Sequence, residues 1–297
     1  MRVGVAIAEE AGLAKVSIRG LNNLIASSSE LDPRAALDAC RAALLTARRL
    51  GVPTLEFGLI GSHLGAAYRT GDWSESLRLL ESASGSDATF ASRSTMIQGS
   101  RWIRSALAAD VADDVAHLRR FLGEMTDAIS QSGIADIAAL EAWCDGRLVD
   151  ARRAARASNA LATYPMMIAL AARCALWSHD LEGARADLSL FDAAGAHGPA
   201  LSAVRLVMAA GVAALEGDVV QALRGFRDGR AALHALGLRW DGALAAVDMI
   251  ESMPDEPAAQ EAAREARAVS LELGAAPFLA RIDAALARAR SESASPA

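Results

Sequence analysis

The stretch LGAAYRTGDWSESLRLLESA, from Leu64 to Ala83, decides the fold of this chain. Gly71 and Asp72 form a turn signal in its middle, and helix-forming residues precede and follow that turn. An aspartate after such a turn caps the next helix, because its carboxylate accepts an unpaired backbone N–H of the first helical turn. The stretch therefore predicts two consecutive helices, which form a helical hairpin.

The capping position recurs along the chain. Successive positions are separated by 33 to 40 residues, and one of the seven carries an arginine instead of an aspartate. The seven positions are Asp32, Asp72, Asp110, Arg147, Asp180, Asp218 and Asp255. A period of this length is typical of stacked helical hairpins, each of which is too small to fold alone.

Two further residue types keep the same register. A glycine follows three of the capping positions by 19 residues, at Gly51, Gly237 and Gly274, where it can end a helix in the left-handed conformation. The fourth residue after a capping position is small in six of the seven cases. These small residues are Ala36, Ser76, Ala151, Ala184, Ala222 and Ala259. A small side chain at that point allows two helix backbones to approach closely, and Asp72 with Glu75 also matches a capping box.

These registers predict an all-α protein, a right-handed α-solenoid of about seven helical hairpins. The repeat occupies residues 1–290 and is followed by a short tail, residues 291–297, which we expect to be disordered. The absence of alternating β-branched runs argues against strands.

Composition narrows the function classes. The chain is 53% hydrophobic and has a formal net charge of −6, so no basic face is expected and direct nucleic-acid binding is not predicted. No apolar run is long enough for a membrane span. The three cysteines are widely spaced, which argues against a disulfide framework or a zinc site. With no signal-peptide pattern at the start, a cytoplasmic location fits best.

Motifs of catalysis are missing. No phosphate-binding glycine loop and no H-E-x-x-H zinc motif occur, and the histidines never fall at ligand spacing. Asp110, Asp113 and Asp114 form a small acidic cluster, but magnesium needs oxygen ligands that converge from several segments. We therefore predict no catalytic residue, no metal and no cofactor.

The surface expected to bind a partner is the concave wall lined by the first helix of each hairpin. Counting back from the capping positions selects a set of aromatic, arginine and apolar residues for this wall. They are Tyr68, Arg69, Ile103, Trp143, Arg173 and Trp177. Aromatic residues and arginines are enriched at binding hot spots. The alternative is that Trp143 and Trp177 simply pack between neighbouring repeats. If they line an open groove, replacing either with alanine weakens binding without unfolding the array.

The chain resembles tetratricopeptide repeats in the stretch quoted above and in ALEGDVVQALRGF, Ala214 to Phe226. The first stretch matches a leucine–glycine pair, an aromatic residue, a Gly-Asp-aromatic turn, a small residue and a closing apolar residue. These are Leu64-Gly65, Tyr68, Gly71-Asp72-Trp73, Ser76 and Leu80. The resemblance implies a stack of helix pairs, although the period here is longer than in that family.

A narrower likeness lies near the two ends. SIRGLNNLIA (Ser17 to Ala26) and the segment from Ala266 to Arg288, with LGAAPFL at its centre, are similar to the carboxy-terminal helices of LuxR/MalT-type regulators and of cyclases with a nucleotide-binding module. The likeness covers the scaffold alone, so no catalytic or DNA-contacting residue is carried over. VGVAIAEEAG, Val3 to Gly12, looks like the second helix of a hairpin whose first helix is missing. Either an upstream segment has been lost or Met1 to Gly12 is itself the cap of the array, and we favour a separated or truncated sensor arm.

The resemblance implies a non-catalytic scaffold that binds a protein, a peptide or a small-molecule inducer in a bacterial signalling or transcription-control system. The alternative is a self-associating structural adaptor, a homo-oligomer in which terminal hairpins stack end to end. An all-helical enzyme is the least favoured hypothesis.

Overall fold

In a computed structural model of the chain, residues 2–84, 90–162 and 164–293 are described, and these ranges contain sixteen α-helices and no β-strand. We call the even-numbered helices the inner helices. They are α2 (Ala14–Ser28), α4 (Pro53–Thr70), α6 (Phe90–Ala106), α8 (Ala128–Cys144), α10 (Pro165–Trp177), α12 (Pro199–Leu215), α14 (Arg239–Ser252) and α16 (Ala276–Ser293). The outer helices are α1 (Arg2–Glu10), α3 (Pro33–Leu50), α5 (Trp73–Ser84), α7 (Ala112–Gly123), α9 (Leu148–Leu161), α11 (Leu181–Ala193), α13 (Val219–Ala235) and α15 (Pro257–Leu273).

Seven helical hairpins run from α2–α3 to α14–α15, as the repeat predicts. Each inner helix packs against the outer helix that follows it, and each outer helix packs against the next inner helix. Helix α1 precedes the first hairpin and α16 follows the last. An all-α, solenoid-like array is therefore confirmed.

Capping is confirmed at several of the predicted positions. The side chains of Asp32, Asp180 and Asp218 each accept a hydrogen bond from the backbone N–H three residues later. Arg147 is the N-cap residue of α9 and makes no such side-chain bond. The residue before a capping position that adopts the left-handed conformation is usually a glycine. Before Asp180 it is His179, with φ 53°. The turn geometry thus survives where the sequence departs from the pattern.

Three capping predictions are wrong in detail. Helices α7 and α15 each begin one residue later than expected: Val111 rather than Asp110 is the N-cap residue of α7, and Glu256 rather than Asp255 is that of α15. Glu75 does not complete a capping box with Asp72, since its carboxylate accepts hydrogen bonds from Nε and Nη2 of Arg41 at 3.2 and 2.5 Å. Here an ion pair between neighbouring repeats replaces a local contact.

All six small residues at the fourth position are buried, with exposures of 0 to 2%. Close backbone approach is also seen between α4 and α6. A Cβ added to Gly99 would lie 2.3 Å from the backbone oxygen of Gly61, a distance that no real side chain tolerates. These two glycines therefore set the spacing of the two helices, because neither position has room for a side chain.

The array curls until inner helices that are distant in sequence meet. Helix α14 packs against α10 and α12, and also against α4 and α16, while α16 reaches α6. The concave side is consequently covered by the last inner helices. Within the described part of the chain, α8 and α10 make at most slight contact, which leaves an opening between them.

The carboxy-terminal end of the array differs from the sequence prediction in one respect. Helix α16 continues through Ser293, three residues into the expected tail, and residues 294–297 lie outside the described ranges. At the other end, α1 packs on α2, with Val3 and Ile7 73% and 59% exposed. Among the described helices, none is both long and apolar enough to cross a membrane.

Candidate functional site: the inner cavity

Four of the six predicted groove residues line one cavity of about 240 Å³. Tyr68 and Arg69 come from α4, Trp143 from α8 and Arg173 from α10. We call this space the inner cavity; it lies at the opening between α8 and α10. Its other lining residues are Ser29, Glu30, Gly65, Gln98, Arg101, Trp102, Asp136, Tyr164, Met166, Met167, Leu170, Asp241 and Leu244.

The other two predicted residues lie elsewhere. Ile103 is fully buried in the main hydrophobic core. Trp177 borders a second cavity of about 390 Å³ and donates its indole N–H to Asp248 at 2.8 Å. The guanidinium of Arg281 lies 4.5 Å from the centroid of the Trp177 ring, a cation–π contact. A binding role for Ile103 and Trp177 remains a prediction.

All five tryptophans of the chain belong to one aromatic cluster with Tyr68 and Phe278. Trp73 and Trp240 lie 4.9 Å apart between ring centroids, and Trp143 lies 4.9 Å from Phe278. Trp143 and Trp177 are 4% and 5% exposed. Replacing either with alanine would cost about 3–5 kcal/mol of stability. Their burial favours the alternative that both rings pack between neighbouring repeats, and weaker binding without unfolding in the alanine variants remains a prediction.

Three buried acids of α14 connect the covering helix to the rest of the array. Asp241 pairs with Arg69 of α4, Asp248 with Arg173 of α10, and Glu251 with arginines of α16. These acids recur at intervals of seven and three residues, so they lie on one face of α14. This acidic face explains how α14, late in the chain, closes over the earlier inner helices α4 and α10.

Arg69 is held rigidly at the wall of the inner cavity. The residue is 4% exposed, its Nε donates to Asp241 at 2.6 Å, and its Nη1 donates to the backbone oxygen of Glu30 at 2.8 Å. Among the described residues its Nη2 has no hydrogen-bond partner. A buried guanidinium N–H without an acceptor is costly, so this atom needs an explanation.

Arg101 repeats this pattern on α6. Its Nη2 donates to Asp136 at 3.1 Å, and Asp136 also accepts the hydroxyl of Ser158. Nε and Nη1 of Arg101 have no partner in the described part of the chain. Burial lowers the pKa of Arg101 and the carboxylate of Asp136 only partly opposes this, so the charge of Arg101 is incompletely compensated.

Further groups complete the polar wall. The indole N–H of Trp143 is buried and has no acceptor among the described residues. Burial raises the pKa of Glu30, with Arg69 opposing and Asp136 adding to the shift. Arg173, in contrast, is bound bidentately: its Nε and Nη2 donate to both carboxylate oxygens of Asp248 at 2.8 to 3.1 Å. The hydroxyl of Tyr68 is also buried without a partner among the described residues. The groups with unused buried donors are therefore Tyr68, Arg69, Arg101 and Trp143.

The acidic cluster near Asp110 is accounted for by local contacts. Asp110 accepts the backbone N–H of Ala112 at 3.0 Å, and Asp114 pairs with Arg104. No group of three or more potential metal ligands occurs within the described ranges. Cys40 and Cys174 are buried and Cys144 is half-buried; all three are free thiols.

Sequence reasoning missed Arg101, Trp102 and the residues of α14. The counting used one offset for every hairpin, but the connection from α6 to α7 spans residues 107–111, whereas that from α4 to α5 spans 71–72. The cavity-lining residues of α6 are consequently a turn or more further from the capping position. The pair Arg101-Trp102, an arginine beside an aromatic residue on an inner helix, was the available signal.

No protein-family model matches this chain, and no curated protein matches it significantly. The likeness to LuxR/MalT-type regulators and cyclases therefore rests on the residues quoted above. The structure supports the coarser statement that the chain is an array of helical hairpins.

Proposed function

We propose that this chain is a non-catalytic binding scaffold that takes a small ligand in the inner cavity. In this proposal it is the sensor arm of a bacterial signal-transduction or transcription-regulation system, and it acts on an output protein in trans. The observation that carries the proposal is the inner cavity itself: five inner helices line it, and four of its wall residues have buried donors without an acceptor among the described residues.

The geometry favours a compact ligand over an extended peptide. A peptide groove needs an uninterrupted concave wall, but α14 covers the wall here and pairs with α4 and α10. A dry cavity of about 150 Å³ accommodates benzene. The inner cavity, at about 240 Å³, is therefore large enough for a ligand of one or two rings.

The proposal also suggests how a signal could leave the cavity. Arg69 and Asp241 belong to the cavity wall and at the same time form the contact between α4 and α14. A ligand that binds Arg69 changes the contact through which the array closes. Differential affinity for the closed arrangement would then shift its population.

The test uses a neutral fluorescent dye with two fused rings, 6-propionyl-2-(dimethylamino)naphthalene, and two matched glycine variants. Gly65 lines the inner cavity and Gly242 does not; both lie inside inner helices, and a Cβ added to either meets nothing within 4 Å. We expect saturable dye binding to the wild type and to Gly242→Leu, and at least about tenfold weaker binding to Gly65→Leu, whose side chain occupies the cavity. Equal binding by all three proteins would refute the cavity as the site.

A second candidate function, the self-associating adaptor, is favoured by one observation. Apolar side chains of α1 and the start of α2 are exposed at one end of the array, with Val3 73%, Ile7 59%, Leu13 54% and Val16 57% accessible. End-to-end stacking would cover them. Light scattering over a concentration series tests this: a mass that rises with concentration and falls back in Ile7→Asp supports it, and a strict monomer excludes it.

A further inference from the structure

The unpartnered atoms of the inner cavity share one chemical character. Nη2 of Arg69, Nε and Nη1 of Arg101, Nε1 of Trp143 and the hydroxyl of Tyr68 can all donate a hydrogen bond, and two of the four side chains carry a positive charge. Arg69 and Trp143 are each 4% exposed, so bulk water does not solvate them. Donors in this setting call for an acceptor, and a charged acceptor binds them more strongly than a neutral one.

The existing ion pairs do not use up these donors. Arg69 and Arg101 each give one carboxylate a single hydrogen bond, to Asp241 and Asp136 respectively. Arg173 shows the contrast, because Asp248 takes its Nε and Nη2 together. Arg173 thus pairs bidentately with its carboxylate, whereas Arg69 and Arg101 keep buried donors without an acceptor among the described residues.

Part of the rest of the wall is apolar. Trp102 and Trp143 lie 6.5 Å apart between ring centroids at 65°, and Met166, Met167 and Leu170 of α10 lie on the cavity wall as well. Aromatic faces and methionines suit a planar apolar group, since thioethers adapt to irregular shapes and pack well on rings.

On this basis, and resting on the proposed function, we propose that the inner cavity binds a compact organic anion. Its acidic group, a carboxylate or a phosphate, accepts hydrogen bonds from Arg69, Arg101 and Trp143. Its flat apolar body packs against Trp102 and the methionines of α10.

Glu30 allows a test of the sign of the ligand's charge. The charged and titratable side chains on the cavity wall are those of Glu30, Arg69, Arg101, Asp136, Arg173 and Asp241, together with the phenols of Tyr68 and Tyr164. Each arginine already has a carboxylate partner, whereas no hydrogen bond is recorded for the Glu30 side chain within the described ranges. An ionised Glu30 therefore opposes an anionic ligand and favours a cationic one. Glu30→Gln should strengthen the binding of an anion and weaken that of a cation.

The experiment is calorimetric titration of the full chain with three ligands that share one body: 2-naphthoate, 2-naphthyl phosphate and neutral 2-naphthamide. We expect one or both acids to bind roughly 10- to 100-fold more tightly than the amide, the range for one or two charge-assisted hydrogen bonds. The acid that binds more tightly shows whether the anionic group is a carboxylate or a phosphate. Glu30→Gln should tighten acid binding about tenfold and leave the amide unchanged.

A charge-balanced variant locates the acidic group. Arg101→Gln combined with Asp136→Asn removes the cation and its partner together, so no unpaired buried charge remains. We expect it to prefer the acids over the amide less than the wild type does, because only Arg69 and Trp143 of the three proposed donors to the acidic group then remain. If this variant does not fold, the comparison of acids with the amide and the Glu30→Gln result decide the matter without it.

The outcomes separate the two proposals. If the amide binds as tightly as the acids or more tightly, or if Glu30→Gln weakens acid binding, the proposal that the ligand is an anion is wrong. The cavity is still the binding site in that case, provided that Gly65→Leu blocks binding of the amide. Binding that Gly65→Leu does not affect overturns the cavity and the anion together. If neither acid binds at millimolar concentration, the anion proposal is wrong.

Discussion

Removing the charge of Asp248 should destabilise the whole array. Asp248 is 2% exposed and accepts three side-chain groups, Nε and Nη2 of Arg173 and Nε1 of Trp177, all at 2.8 to 2.9 Å. Burial alone would lower the pKa of Arg173, but the carboxylate of Asp248 outweighs it and raises that pKa. Asp248→Asn leaves a buried guanidinium without its counter-ion, a loss of about 3–5 kcal/mol.

Asp192 provides a matched control. Its two oxygens accept Nε and Nη2 of Arg205 at 2.5 and 2.8 Å, so the pairing is as bidentate as that of Asp248. Both side chains of this pair are more than 40% exposed, however. Solvent screens such a pair, and Asp192→Asn should cost less than about 1 kcal/mol.

Thermal and urea unfolding measure both variants. At about 2 °C per kcal/mol for a chain of this size, Asp248→Asn should lower Tm by roughly 6–10 °C and Asp192→Asn by less than about 2 °C. Similar shifts in the two variants would refute the reasoning, because they would show that the α10–α14 pair is no more buried than a surface pair.

Three further predictions concern buried groups. Asp241→Asn should lower the free energy of unfolding in urea by about 3–5 kcal/mol. The double variant Arg69→Met with Asp241→Leu should regain most of that stability, since no unpaired charge remains. A double variant as unstable as the single one would contradict this. Burial lowers the pKa of His63 below its usual 6.5, so the unfolded chain takes up the proton first and stability falls as pH drops below about 6.5. The urea midpoints measured at pH 7.5 and 5.5 should therefore differ less in His63→Gln than in the wild type. The same difference in both proteins would show that His63 does not cause it. Burial raises the pKa of Cys40, Cys144 and Cys174 to about 12, so all three should react with Ellman's reagent about a thousandfold more slowly than exposed thiols until urea unfolds the chain; fast labelling of the native chain would count against it.

The hairpins were predictable because their signals are local. A cap at Asp32, a small residue at Ala36 and a stop at Gly51 depend on contacts within one helix pair, and all three appear as expected. Where a local signal failed, as at Glu75, a partner from the preceding hairpin had displaced it.

The closure was not predictable from the period. It depends on pairs such as Arg69 with Asp241, which lie 172 residues apart and share no register. The same contacts cover the concave wall and convert an expected open groove into a cavity. Tyr68, Arg69, Trp143 and Arg173 were found because they lie on the inner helices, whereas Arg101 was missed because the α6–α7 connection is longer than its counterparts.

The contact between α4 and α14 underlies the cavity, and a designed disulfide tests it most directly. A Cβ added to Gly71 would lie 3.7 Å from Cβ of Arg239, within the 3.5–4.5 Å range found in disulfides. Gly217 is the control, since it has a similar left-handed φ and nothing within 4 Å of its added Cβ. Under mild oxidation, peptide mapping should find a bond in Gly71→Cys with Arg239→Cys and none in Gly217→Cys with Arg239→Cys. If both double variants fold but neither forms a disulfide, α4 and α14 do not meet.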